Sequence, residues 1–224
     1  MYPTNYNSVE MFEVGDDFAN PIALTPWTSL DDAGTGTNTI NAAPGGTIDI
    51  VTAAAANDYH LLFGSKLFLP ASHKPIWFVM RYKAGTSAGM QYFGLSSNVT
   101  ATLITDGTGV VVNTGSMALF YCLPASLALG FMTSNSTAQT KTATVITQVA
   151  AQWYQAGFHI DSGDGTTAQV TAWVVDETAG TRTVNPPQSL ALASLAQMGV
   201  IFGAKSAGAA ETLTVDYVRC CQKR

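Results

Sequence analysis

The chain has 224 residues, a formal net charge of −5, 47% hydrophobic residues and only 11% charged ones. That length suits one β-sandwich or barrel with a single core, and the apolar content excludes a disordered chain. An acidic balance without a basic run excludes electrostatic binding to nucleic acid, and so charge-poor a surface, covered instead by Thr, Ser, Ala, Asn, Gln and Gly, tolerates packing against another subunit.

Residues 1–12 (MYPTNYNSVEMF) have neither the basic start nor the apolar stretch of a secretory signal. They lack periodicity and read as an extended N-terminal arm, followed by a single β-sandwich domain over 13–224. Tyr2, Tyr6, Met11 and Phe12 are the arm's anchor residues. An arm of this kind is held either by a neighbouring subunit or as a strand on its own sheet, and the composition leaves both open.

Short β-branched and aromatic runs then recur between Gly, Asn, Asp, Pro and Ser. They predict strands over 46–52, 59–63, 75–83, 89–95, 116–123 and 127–133, and again over 141–147, 152–161, 168–176, 199–203 and 212–219. The apolar stretch 117–132 is broken by Pro124, Ser126 and Gly130. A membrane helix needs about 20 uninterrupted apolar residues, so this stretch reads as two strands across a turn, with no membrane partner. In 168–176, Val170, Ala172 and Val174 share one face while Thr171, Trp173 and Val175 share the other. The SGDGTT connection at 162–167 accepts positive φ and predicts an antiparallel hairpin. Residues 189–197 (SLALASLAQ), behind Pro186 and Pro187, predict a short helix. The fold class is all-β, an antiparallel two-sheet sandwich.

A search for reactive groups returns little. His60, His73 and His159 have no metal-binding spacing, and His159 sits within a strand. Cys122 lies in an apolar run as an inert thiol, and adjacent Cys220 and Cys221 point to opposite faces, one core and one exposed, too strained for a bridge. Three cysteines make no disulfide framework and suit a reducing compartment. No G-x-S-x-G elbow or phosphate loop occurs. The acidic pairs Asp16-Asp17, Asp31-Asp32 and Asp176-Glu177 alternate faces on a strand and do not line one glycosidase cleft. Asp161 and Asp164 flank the hairpin turn and could form a weak calcium site with backbone carbonyls, although a turn explains them without a metal. Of Trp27, Trp77, Trp153 and Trp173, the last three lie in strand runs and are expected mostly in the core. The expectation is a chain that is not an enzyme, with no catalytic residue, cofactor or metal.

Residues 213–222 (LTVDYVRCCQ) and 153–177 (WYQAGFHIDSGDGTTAQVTAWVVDE) resemble the closing strands of concanavalin A-like jelly rolls, a superfamily of lectins and glucanases. The strand pattern extends through KPIWFVMRYKA and MQYFGLS, but the glycosidase signature E-x-D-x-x-E is missing. Three segments, 12–29 (FEVGDDFANPIALTPWTS), 73–84 (HKPIWFVMRYKA) and 198–220 (MGVIFGAKSAGAAETLTVDYVRC), look like virion proteins of tailed bacteriophages. That resemblance implies a jelly roll and a capsid decoration or cement protein on the outer surface of a phage head. It would bind the major capsid protein and itself as a homo-oligomer such as a trimer, with no nucleic acid, no membrane and no cofactor. The alternative is a glycan-binding, lectin-like module of a phage tail or surface protein, which predicts exposed tryptophans. Loops of Ala, Gly, Thr and Ser weigh toward assembly.

Overall fold

The computed structural model describes residues 11–19, 24, 26–32, 36–41, 45–86, 89–99, 103, 115–136, 138–163 and 165–224. These form sixteen strands, numbered in chain order and paired antiparallel in two sheets. The nine-stranded sheet runs β13 (Thr181–Val184), β12 (Thr167–Asp176), β11 (Trp153–Asp161), β6 (Ile76–Lys83), β16 (Thr212–Lys223), β4 (Thr47–Val51) and β3 (Thr37–Asn41). Its other two strands share edges: β1 (Met11–Asp16) lies on β16 beyond β4, and β14 (Gln188–Ala191) lies on β12 beyond β13. The seven-stranded sheet runs β10 (Gln139–Thr147), β9 (Ala128–Asn135), β8 (Ser116–Cys122), β7 (Gly89–Ser96), β15 (Gly199–Ala207), β5 (Ala56–Phe63) and β2 (Thr28–Asp31). The two-sheet all-β architecture expected from the sequence is the one observed.

Between the sheets lies the main core. Alternation along β6 sends Ile76, Phe78, Met80 and Tyr82 inward, and along β11 Tyr154, Ala156, Phe158 and Ile160. Phe78 stacks on Phe158 at 4.9 Å, and Phe131 and Phe120 extend the aromatic cluster from the opposing sheet. The stretch 117–132 is indeed two strands, β8 and β9, across a turn, and β11 and β12 form the expected hairpin. Among the described residues no helix is long and apolar enough to cross a membrane.

Two expectations are corrected. The helix expected over 189–197 begins instead as β14, because Val170 and Ala168 of β12 offer an open edge to Gln188 and Leu190. Leu190 enters the core and the Gln188 amide bonds Thr133 and Thr142 of the opposing sheet, so tertiary pairing overrides the helical spacing. Cys220 and Cys221 are both buried, rather than one exposed. Cys221 does face outward, but it sits in register between Trp77 of β6 and Glu13 of β1, which cover it.

Of the arm residues, Met11 and Phe12 lie in β1, opposite Lys223 and Gln222. The Phe12 ring packs 5.5 Å from that of Phe68. Tyr2 and Tyr6 lie outside the described residues.

Candidate functional site

The outer faces of the two sheets differ in kind. On the seven-stranded sheet, outward residues including Leu61, Tyr92, Met117, Leu119, Tyr121 and Ile201 form a second apolar cluster, and Leu103 packs into it. That face is a packed apolar layer. The nine-stranded sheet presents half-exposed tryptophans and charged side chains.

Strand register sets this face out in rows. Trp173 stands opposite Gly157, Gly157 opposite Val79, Val79 opposite Arg219, and Arg219 opposite Gly15. This row of mostly small side chains makes a trough across five strands, about 19 Å long at the usual strand spacing. His159 and Trp77 form one wall, and Gln155, Arg81 and Tyr217 form the other. A Cβ added to Gly157 would lie 2.5 Å from Trp173 Cζ2 and 2.6 Å from the Phe78 carbonyl oxygen. The Trp173 ring therefore lies down over Gly157 only because no side chain stands there.

One end of the trough opens into a cleft of about 300 Å³ lined by Trp77, Val79, His159, Thr171, Trp173 and Arg182. The Trp77 and His159 rings are stacked, with centroids 4.9 Å apart and planes 16° apart. The Arg182 guanidinium lies over Trp173 at 5.1 Å. His159 Nε2 is cut off from water and has no hydrogen-bond partner. Burial pushes the His159 pKa down, partly opposed by Asp161. At the far end Glu13, Gly15, Asp16, Asp17 and Arg219 line a second, acidic hollow. Between the two ends, Arg81 spans the wall. It donates to both oxygens of Glu177 and to Asp216 Oδ2, each closest contact at 2.8 Å, and lies 4.3 Å over the Trp153 ring. These carboxylates hold its pKa above the ordinary arginine value.

The expectation that Trp77, Trp153 and Trp173 sit mostly in the core is thus overturned. All three are half-exposed on this face, and Trp27 alone is buried, donating through Nε1 to Asp16 Oδ2 at 2.9 Å. The reason is the strand period: once Phe78, Phe158 and Ala172 point inward, their neighbours Trp77, His159 and Trp173 must point outward.

Other clusters do not make a reaction site. Ser29 Oγ lies 3.3 Å from His60 Nε2 and Asp31 Oδ1 lies 3.5 Å from His60 Nδ1, the order of a hydrolytic triad. Yet neither Asp31 Oδ1 nor His60 Nδ1 has a hydrogen-bond partner, so the bond that would orient the imidazole is missing. Asn38 of β3 donates to Ser29, and the cluster closes the sandwich edge between β2 and β3. Glu211, fully buried, accepts from Thr86 N, Gly89 N and Gln91 Nε2 and ties Thr86 to the start of β7. Among the described residues no three metal-ligating side chains converge. Asp161 accepts from Gly163 N within the hairpin turn, and its expected calcium partner Asp164 lies outside the described residues.

No protein family matches the chain, and neither does any curated protein. Solved structures do. A protein of unknown function, SO2946 from Shewanella oneidensis MR-1, superposes with a TM-score of 0.64 at 16% identity, over 96% of this chain and 87% of its own. Lectin I from Ulex europaeus, solved with the methyl glycoside of α-L-fucose, gives 0.64 at 8% identity, over 96% and 98%. The endo-β-1,4-glucuronan lyase of the fungus Trichoderma reesei gives 0.56 at 9%, over 88% and 91%. At these identities the likeness establishes the fold: a concanavalin A-like jelly roll.

Proposed function

We propose that this protein is a non-catalytic, lectin-like recognition module that binds a glycan along the trough of the nine-stranded sheet. The observation that carries the reading is the outward placement of Trp77, Trp153 and Trp173 beside Arg81, Gln155, Arg182 and His159. Aromatic rings offer an apolar surface to the C–H face of a sugar, while flanking amides and guanidinium groups bond its hydroxyls. The lectin fold supports the same reading. Tryptophan fluorescence titrated with neutral and acidic oligosaccharides tests it: a saturable change that Trp173→Ala removes is expected, and no response to any member of the panel would sink it.

A second reading concerns where such a module sits. The resemblance of 12–29, 73–84 and 198–220 to tailed-phage virion proteins, with the 11% charge content, supports a decoration protein on the outside of a phage head. It would be a homo-oligomer bound to the major capsid protein through Tyr2, Tyr6, Met11 and Phe12. Co-sedimentation with undecorated capsids, stoichiometric for the intact chain and lost on deletion of 1–10, is the expected result; no sedimentation of the intact chain overturns it.

A further inference from the structure

We infer that the cleft at the Trp173 end of the trough takes a carboxylate-bearing sugar, a uronic acid residue, with Arg182 as its anion-binding group. This deepens the glycan reading and rests on it.

The arginines of this face are not equivalent. Arg81 is committed on both edges, to Glu177 and to Asp216. Arg219 shares its hollow with Glu13, Asp16 and Asp17. Arg182 is exposed at the cleft, and among the described residues no carboxylate lies within ion-pair reach of it. Its guanidinium is held instead over Trp173, and Trp173 is held down on Gly157. A stacked guanidinium is weakly hydrated and keeps its planar fork of donors free, the geometry that matches a carboxylate with two parallel hydrogen bonds.

A second observation comes from the cleft wall. His159 stands there half-buried, lining the cleft beside Trp77. The imidazole is fixed by stacking on Trp77, and the pair gives the cleft a flat aromatic wall for the apolar face of a sugar ring. Thr171 adds a hydroxyl on the same wall. A cleft of about 300 Å³ with an aromatic wall, one fork of donors and one hydroxyl suits a single charged pyranose better than an extended neutral chain. The acidic hollow at the other end of the trough would turn carboxylates away, which confines an acidic sugar to the Trp173 end.

Calorimetric titration of the full chain with a galacturonate oligomer, the matching neutral galactose oligomer and a sulfated galactose oligomer tests this. The galacturonate oligomer is expected to bind at least about tenfold tighter than the neutral one at low salt. Arg182→Gln should erase that preference while leaving neutral binding in place, and Arg182→Lys should restore part of it. Circular dichroism of each variant, unchanged from the parent, shows that the fold is intact. Equal binding of neutral and acidic oligomers, or a preference that survives Arg182→Gln, overturns the uronate assignment and leaves the glycan reading standing. Equally tight binding of the sulfated oligomer overturns the carboxylate in favour of a general anion site. Failure of all three oligomers to bind removes both readings together.

Discussion

Gly157 decides the shape of the trough, because the Trp173 ring occupies the place a side chain would take. Gly157→Val should lift that ring, abolish glycan-induced fluorescence change and cost about 1–3 kcal/mol through overpacking against the Phe78 carbonyl, read from urea unfolding. His159 adds a dependence on pH. Burial lowers its pKa in the folded state, so the unfolded chain binds its proton more readily. Its contribution to stability is therefore complete above the unfolded value of about 6.5 and lost as the pH falls through the depressed folded value. Thermal melts should show the parent losing Tm on acidification, with a smaller loss in His159→Gln. The thiols have the opposite character: burial pushes Cys122 and Cys221 up to about 12 and Cys220 well above its usual value. None should react with a thiol reagent at neutral pH in the folded protein, and all three should react once it is denatured.

At the scale of elements, the strands that carry the trough were legible in the sequence. In 75–83 the charges of Arg81 and Lys83 fall two and four places after Val79, so the same period assigns Trp77 to solvent and Phe78 to the core. Aromaticity suggested burial for Trp77 and Trp173; phase, read from the charged positions, gives the observed side. What the sequence did not display was pairing across the sheet. The meeting of Trp173 with Gly157, or of Arg81 with Asp216, depends on register between strands far apart in the chain. Asp216 is further hidden by the bulge between Val215 and Tyr217, which sends two consecutive residues outward and breaks the period. The short strands β1, β2, β3, β13 and β14 escaped for a related reason: they are edge pieces whose extended form comes from a neighbour and not from their own composition. Glu211 shows how such junctions are held. Glu211→Gln replaces one acceptor oxygen by an NH₂ that must face either the Gly89 donor or the Thr86 and Gln91 donors, and should cost about 2–3 kcal/mol in chemical denaturation.

For the whole molecule, the decisive placement is that of β16. It pairs along one side with β6 and along the other with β4 and then β1, so it lies well inside the nine-stranded sheet although it follows the other fifteen strands in the chain. Deleting residues 212–223 should leave a chain without cooperative unfolding, detectable as a flat near-ultraviolet dichroism signal on heating. Such distant pairings predict slow refolding relative to a helical protein of the same length. They also carry a consequence for biosynthesis. Until β16 has been synthesised, the edges of β6 and β4 have no strand to join them, and the earlier segments must wait, exposed, for the one that does. Assembly of the sandwich is thus deferred until its sixteenth strand emerges, and a cell in which this chain is made in quantity has to shield it from its own copies until then.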